Sequence, residues 1–320
     1  MQFFKKKAKS TSRVGAIIAG DKLAIAHVEE RDGVPYLLNC ERLSLASEKD
    51  AGKVMAKAVK DMGLQDKQCS FVLNRKDYNL HLVEAPAVEP EELRAAVRWK
   101  IKDLLDMKIE EAAIDVFGVP EDAYRGRNMV YVVAANKSRI KQVVDMVTES
   151  GMQLAVIDIP ELAMHNLARH YIKDQFGVAF MDLRRTGSTM NISRNGELYL
   201  TRRINTQLDP DVMKSPEWEG LRDRLILEVQ RSLDYYESQM GKSAINRIVI
   251  SQRQYDTRGM VEALNGMLAA EVTSLDLSGL LDGDVELNPE AQQICMSAIG
   301  ATLRGSKKTE QSAKNSQEAA

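Results

Sequence analysis

The residues from which chemistry could be built lie in one stretch, Gly177 to Thr206, reading GVAFMDLRRTGSTMNISRNGELYLTRRINT. Asp182 sits near the end of an apolar run, Val178 to Leu183, and faces a loop of Arg184, Arg185, Thr186 and Gly187 before Ser188 opens the next run. In a phosphate-binding loop of this kind, backbone N–H groups cradle phosphate oxygens and the acidic residue positions a metal or a water. An Asp in front of a turn also serves simply as a turn residue that accepts a local hydrogen bond. Arg184 stands where a phosphate would approach bare backbone, a place glycine usually supplies. A guanidinium there has two uses, binding an anion or filling the space.

The elements that must hold this loop are legible around it. Ser188 to Ser193 and Glu197 to Ile204 alternate in polarity, and Asn195-Gly196 between them is a pair suited to a two-residue hairpin. The stretch therefore predicts a three-stranded meander. The same plan occurs at the start of the chain: Val14 to Ile18, a turn at Ala19-Gly20-Asp21, Leu23 to Val28, the Asp32-Gly33 turn, then Tyr36 to Cys40. Such self-similarity indicates an internal duplication, in which Ile17 takes the place that Asp182 holds in the second copy.

Between and after the meanders the apolar spacing switches to helical periods. Helices are expected over Ala51 to Met62, Glu91 to Met107, Ser138 to Ser150, Pro160 to Tyr171, Trp218 to Met240, Gly259 to Leu268 and Pro289 to Leu303. Strands are expected over Ser70 to Leu73, Leu80 to Glu84, Ala113 to Val119, Met129 to Ala135, Leu154 to Ile159, Ile245 to Ser251 and Val272 to Leu277. Helix-separated strands after a meander argue for an α/β architecture.

At 320 residues the chain can bury a large core and is expected to form two domains. With 44% hydrophobic residues and a net charge of -2, nothing in the balance calls for nucleic acid as a partner. No apolar run reaches the roughly 20 residues that cross a bilayer, and the expected compartment is the cytoplasm. Cys40, Cys69 and Cys295 are far apart and form no CxxC, and read as thiols of a reducing compartment. His27, His81, His165 and His170 are too scattered for a metal set, so no metal is expected. Residues 1–12 combine Phe3 and Phe4 with Lys5, Lys6, Lys7 and Lys9, which suits either a solvated tail or contact with an anionic membrane surface. Residues 306–320 have no apolar face and are expected to be disordered.

Several longer segments are more specific. EELRAAVRWKIKDLLDMKIEEAAIDVFGV (Glu91 to Val119), GMQLAVIDIPELAMHNLARH (Gly151 to His170), LEVQRSLDYYESQ (Leu227 to Gln239) and IGATLR (Ile299 to Arg304) resemble, in this order, the PilM family of type IV pilus assembly proteins. Within that family the chain is most similar to the members that serve the mannose-sensitive haemagglutinin (MSHA) pilus. The resemblance covers about Arg13 to Arg304 and implies an α/β, duplicated actin-like ATPase (ribonuclease H-like) fold with the FtsA/PilM arrangement of subdomains. The implied division is a basic tail over 1–12, a first domain over 13–175 carrying an inserted subdomain at about 88–150, a second domain over 176–305, and a disordered tail over 306–320.

The resemblance also implies a site and a partner. In such proteins three loops hold ATP between the halves. Here the first loop has Ile17 in place of the acidic residue, followed by Ile18, Ala19 and Gly20. The second keeps Asp182 but has Arg184 for glycine, followed by Ser188, and the third has Gln252 and Arg253 for a glycine pair. Expected on this basis are a degenerate cleft (Ile17, Ala19, Asp182, Arg184, Ser188, Gln252, Arg253), no cofactor and no ATPase activity. The implied partner is a PilN-like inner-membrane protein, bound through its cytoplasmic N-terminal peptide, with the assembly ATPase as a further partner and a location peripheral to the inner membrane. Val97, Arg98 and Ile101 are the candidate lining of the partner groove. The alternatives are an active actin-like ATPase using ATP with Mg, and a cytoplasmic domain of a type II secretion system.

Overall fold

The computed structural model describes residues 12–184, 187–206, 208–209, 211–252 and 256–305. The N-terminal Phe-Lys segment and the 306–320 tail therefore lie outside the described residues, as does Arg253 of the third loop.

The first half contains β1 (Ser12–Ala19), β2 (Lys22–Arg31), β3 (Val34–Ser44), α1 (Ala51–Asp61) and β4 (Gln68–Val72). There follow β5 (Tyr78–Glu84), α2 (Leu93–Lys100), β6 (Ala112–Gly118), β7 (Met129–Asn136), α3 (Lys137–Glu149), β8 (Gln153–Asp158) and α4 (Pro160–Tyr171). The second half has β9 (Val178–Asp182), β10 (Ser188–Arg194), β11 (Glu197–Ile204), α5 (Trp218–Met240), β12 (Arg247–Ser251), α6 (Thr257–Asn265), β13 (Glu271–Leu275) and α7 (Pro289–Thr302). The two main sheets have matching orders, β3-β2-β1-β4-β8 and β11-β10-β9-β12-β13, each an antiparallel meander extended by parallel strands. The duplication read from the two meanders is thus a duplication of whole sheets.

Both hairpin turns adopt the conformation their residues favour. Asp32 and Gly33 have φ of 52° and 84°, and Asn195 and Gly196 have 54° and 79°. Positive φ at both central residues matches the right-handed twist of the flanking strands, and Asx-Gly tolerates it best.

Period-2 alternation then sorts the side chains into layers. On β2, Ala24 and Ala26 face a core shared with α4 and α7, whereas Leu23 and Ile25 face a core shared with α1 and α3. On β9, Val178 and Phe180 join the α4–α7 core, and Ala179 and Met181 join the core under α5 and α6. The helices α4 and α7 therefore lie between the two sheets, and each sheet is covered on both faces. Burying a Leu, Ile, Val, Phe or Met side chain of this kind contributes roughly 1.5–3 kcal/mol, so these layers dominate the fold.

Helices α3, α6 and α7 start at a side-chain cap. Asn288 accepts the Ala291 N–H at 2.9 Å with Pro289 following it, and Asn136 accepts the Ser138 N–H at 2.9 Å. Asp158 precedes Ile159-Pro160 and accepts the Ile159 N–H at 2.9 Å, while its other oxygen meets Arg304 at 3.2 Å. Helix α5 spans Trp218 to Met240 as its periodicity predicts, and Gly241 ends it at φ 63°.

A third sheet, β5-β7-β6, carries α2 and its own small core of Val83, Val97, Ile101, Val130, Val132 and Ala134. Its strands lie between Tyr78 and Asn136, so this subdomain begins before the expected position near 88. Val143 and Val147 of α3 belong instead to the core of the first sheet, with α1. The helix expected over Glu91 to Met107 is shorter, ending at Lys100 and followed by a 3-10 turn at Lys102–Leu104. Arg98 folds back onto the carbonyls of Ile109 (its closest contact) and Ala112 at 3.2 Å, tying α2 to the start of β6.

The cysteines depart from the reading as three separate thiols. Cys40 on β3 and Cys295 on α7 are joined as a disulfide, with Cα atoms 6.8 Å apart, and Cys69 is a free, buried thiol. Burial pushes the Cys69 thiol up to about 12. The sequence hid the pairing because only the packing of α7 against the first sheet brings together two residues 255 positions apart.

Candidate functional site

The turn after β4 meets the start of β10 where the two halves adjoin, through Arg75. Strand pairing fixes who stands where. Ile17 pairs with Val72, the last residue of β4, whereas Met181 pairs with Ile250 and so sets Asp182 level with Ser251, the last residue of β12. The correspondence of Ile17 with Asp182 therefore holds in space. Ile17 is buried in the α4–α7 core, beside Val72 and Phe180.

Asp182 is 1% exposed, and both its oxygens are engaged. Ser251 donates its hydroxyl to Oδ1 at 2.9 Å, and Arg184 donates its Nε–H to Oδ2. Arg184 does not extend into solvent: its Nη2 donates to Ser297 Oγ of α7 at 2.9 Å, and its backbone N–H donates to Ser188 Oγ at 3.2 Å. Ser188 in turn donates to the carbonyl of Thr206 at 3.1 Å. Burial lowers the pKa of Arg184, opposed by Glu161 and Tyr78. Arg184, directly after β9, thus bridges Asp182 at the end of that strand to α7.

From the opposite side of the cleft comes Arg75, in the turn after β4. Its Nη1 donates to the carbonyls of Gly187 and Ser188, both at 3.0 Å, and its Nη2 to Thr189 Oγ1. Glu161, at the start of α4 and 1% exposed, lies 3.6 Å from the Arg75 guanidinium and accepts the Tyr78 hydroxyl. Burial first and Glu161 second raise the pKa of Tyr78, keeping the phenol protonated. Arg203 stacks over the Tyr78 ring at 5.4 Å, and Asn191 donates to the Glu161 carbonyl at 2.8 Å. Two carboxylates, Asp182 and Glu161, and three guanidiniums, Arg75, Arg184 and Arg203, therefore gather where the halves meet.

Two further expected cleft residues lie among the described residues. Ala19 ends β1 and pairs with Lys22 across the turn. Gln252 follows Ser251 and donates its backbone N–H to Leu275 at 3.2 Å. Arg75, Glu161 and Tyr78 were not singled out from the sequence. No motif marks them, and only the placement of the β4 turn opposite the β9–β10 loop gives them a role. Beside the cluster, a cavity of about 460 Å³ opens between the end of β11 and α5, lined by Asn205, Thr206, Leu221, Arg224, Leu227, Glu228 and Arg231.

On the inserted subdomain, Val97 and Ile101 are fully buried and Arg98 is spent on backbone carbonyls within the subdomain. The lining expected from these three is thus occupied by internal packing. What this part of the chain offers to solvent is Trp99, 70% exposed, and Leu104, 51% exposed. The subdomain is anchored on the second half as well: Tyr131 accepts the Thr201 N–H at 2.9 Å, and Asp122 accepts the Tyr199 hydroxyl at 2.9 Å and pairs with Lys242.

Among the described residues no group of three or more His, Cys, Asp or Glu could hold a metal ion. Two of the histidines have local partners or packing: His165 Nδ1 is 3.2 Å from Ser193 Oγ, and His170 packs edge-on against Tyr171. Among the described residues no helix is long and apolar enough to cross a membrane.

No family model matches the chain, and no curated protein does either. Solved structures do. One, described as a PilM-PilN type IV pilus biogenesis complex, is similar at a TM-score of 0.71 with 16% identity, covering 92% of this chain and 98% of that one. A Bacteroides thetaiotaomicron protein with an actin-like ATPase fold and unknown function is similar at 0.50 with 9% identity, over 86% of this chain and 94% of that one. The cytoplasmic domain of EpsL, an inner-membrane component of the Vibrio cholerae type II secretion system, reaches 0.48 with 10% identity over 75% and 81%, a level that carries no argument. The matching sheets, the crossing of α4 and α7 between them and the likeness to the first two structures together identify the chain as one with the actin-like ATPase fold.

Proposed function

We propose that this chain is a non-catalytic scaffold of a type IV pilus assembly platform, of the MSHA type, working at the cytoplasmic face of the inner membrane. Its partner is a PilN-like inner-membrane protein, recognised through an extended cytoplasmic N-terminal peptide. The observation that carries the non-catalytic part is Arg184, held between Asp182 and Ser297 in the loop that a phosphate would have to enter. The residues do not fit Mg-ATP bound as the family resemblance implies. The Ile17 side chain offers no oxygen to a magnesium ion or its waters, and a metal at Asp182 would have to displace the partly buried guanidinium of Arg184. The fold's likeness to the PilM-PilN complex supports the choice of partner.

The peptide would add to an edge of the β5-β7-β6 sheet, where backbone hydrogen bonds supply affinity and neighbouring pockets specificity. Trp99 and Leu104, exposed on the same subdomain, would supply apolar contact. Isothermal titration of the full chain tests both halves of the reading. The N-terminal peptide of the neighbouring inner-membrane protein is expected to bind saturably, and Mg-ATP to give no binding tighter than millimolar. Tight Mg-ATP binding that Asp182→Ala abolishes would overturn the non-catalytic reading. Recovery of a secretion-type membrane protein in place of a PilN-like one would overturn the choice of partner.

One observation favours a second reading, in which a nucleotide still binds. The 460 Å³ cavity beside Thr206 is large enough for a nucleoside, and Arg224 and Arg231 line it. Adenosine and ATP in the same titration separate the two, because a base held without its phosphates would bind in both forms alike.

A further inference from the structure

We infer that Arg75 acts as a built-in tie between the two halves, holding the cleft closed with a side chain of the protein itself. The inference is independent of the partner and rests on geometry alone. Arg75 belongs to the first half, in the 3-10 turn Arg75–Asp77 directly after β4. Its hydrogen-bond acceptors all belong to the second half: the carbonyls of Gly187 and Ser188 at 3.0 Å, and the hydroxyl of Thr189.

The base of this side chain is fixed. Asn74 caps the turn, donates its Nδ2–H to the Ile18 carbonyl at 3.0 Å, and forms a reciprocal capping box with Asp77. Asp77 is paired with Arg139 of α3 at 3.0 Å, and Arg139 also reaches Glu48 at 2.8 Å. The far end is fixed as well, because Glu161 of α4, the helix leading from the first half into the second, lies 3.6 Å away as counter-charge. The guanidinium side chain is only 13% exposed. A planar donor fork, anchored at its base and meeting several acceptors on the opposing loop, restrains the angle between the halves as a bound ligand would.

Glu161 ties the same point to two further elements, through the Tyr78 hydroxyl from β5 and Asn191 from β10. Glu161 thus offsets part of the positive charge gathered at this point. Loss of the guanidinium would leave the Gly187 and Ser188 carbonyls and the Glu161 carboxylate facing a gap that water fills, and the halves would part along that seam.

Hydrogen-deuterium exchange on the full chain tests this, comparing the native protein with Arg75→Met, which keeps the aliphatic stem and removes the donors. The expected result is exchange at least tenfold faster in residues 74–78 and 187–191, with β2, β3 and β13 unchanged. Thr189→Val, which removes one acceptor and leaves the volume nearly constant, is expected to move the same segments by a smaller factor. It serves as the test if the arginine variant does not fold. Unchanged exchange along the seam, or equal acceleration throughout the molecule, would overturn the inference.

Discussion

Gly300 of α7 lies so close to Ala163 of α4 that a Cβ placed on it would stand 2.2 Å from the Ala163 carbonyl oxygen. This contact lets the two central helices cross at backbone distance between the sheets. Gly15 makes the companion contact, with a Cβ position 1.9 Å from the Ala298 carbonyl oxygen. Gly300→Ala is therefore expected to destabilise the protein by about 1–3 kcal/mol or more, since backbone rather than a flexible side chain must move. Gly52→Ala, in α1 with its nearest neighbour at 3.9 Å, is expected to stabilise by up to about 1 kcal/mol. Urea denaturation of both variants checks that one substitution type takes opposite signs.

Asp182 and Arg184 form a pair whose partners are unequally buried, at 1% and 20% side-chain exposure. Asp182→Ala removes the carboxylate and strands a guanidinium that still contacts Ser297, at a cost of about 3–5 kcal/mol. Ser251→Ala removes a single neutral donor to the same carboxylate and is expected to cost about 1 kcal/mol. Equilibrium unfolding of the two variants checks the order, and equal losses would mean that Arg184 finds water once Asp182 is gone.

Trp99 and Ile101 are near neighbours in sequence with opposite environments, 70% exposed and fully buried. Ile101→Ala is expected to cost about 2–5 kcal/mol by opening a cavity in the small core of the inserted subdomain. Trp99→Ala is expected to change stability by no more than about 0.5 kcal/mol while weakening the peptide partner at least tenfold. Thermal denaturation and peptide titration on the same two variants separate folding from binding.

His165 is held neutral, its pKa lowered to about 4, first by burial and then by Arg169, with Asp174 opposing. The sign follows from linkage. Below the unfolded value of about 6.5 the unfolded chain takes up a proton that the folded chain refuses, so stability is lost as pH falls from there towards 4. His27 and His81 are shifted in the same direction, each chiefly by burial, so the contribution of His165 must be read as a difference. The stability of His165→Gln relative to the native protein is expected to improve by about 1–2 kcal/mol between pH 7 and pH 5. Denaturation midpoints at the two pH values measure it.

Element type and order were written locally. The Asx-Gly pairs at 32–33 and 195–196 require turns of one kind, the alternation of β2 and β9 assigns each side chain a face, and the spacing in α5 sets its whole length from Trp218 to Met240. The duplication followed from these patterns, and with it the correspondence of Ile17 and Asp182. What the sequence could not show was which distant groups would meet. Arg75 and Glu161 carry no motif, and nothing along the chain marked Arg98 as bound for carbonyls beyond the end of α2 at Lys100. Cys40 reaches Cys295 only because α7 packs against the first sheet. Backbone propensity and binary pattern act over a few residues and so can be read along the chain, whereas a hydrogen bond or an ion pair across a cleft depends on how layers are stacked. The closed seam between the halves was decided by tertiary structure, because a charged side chain has no preferred partner until packing excludes water from every other choice.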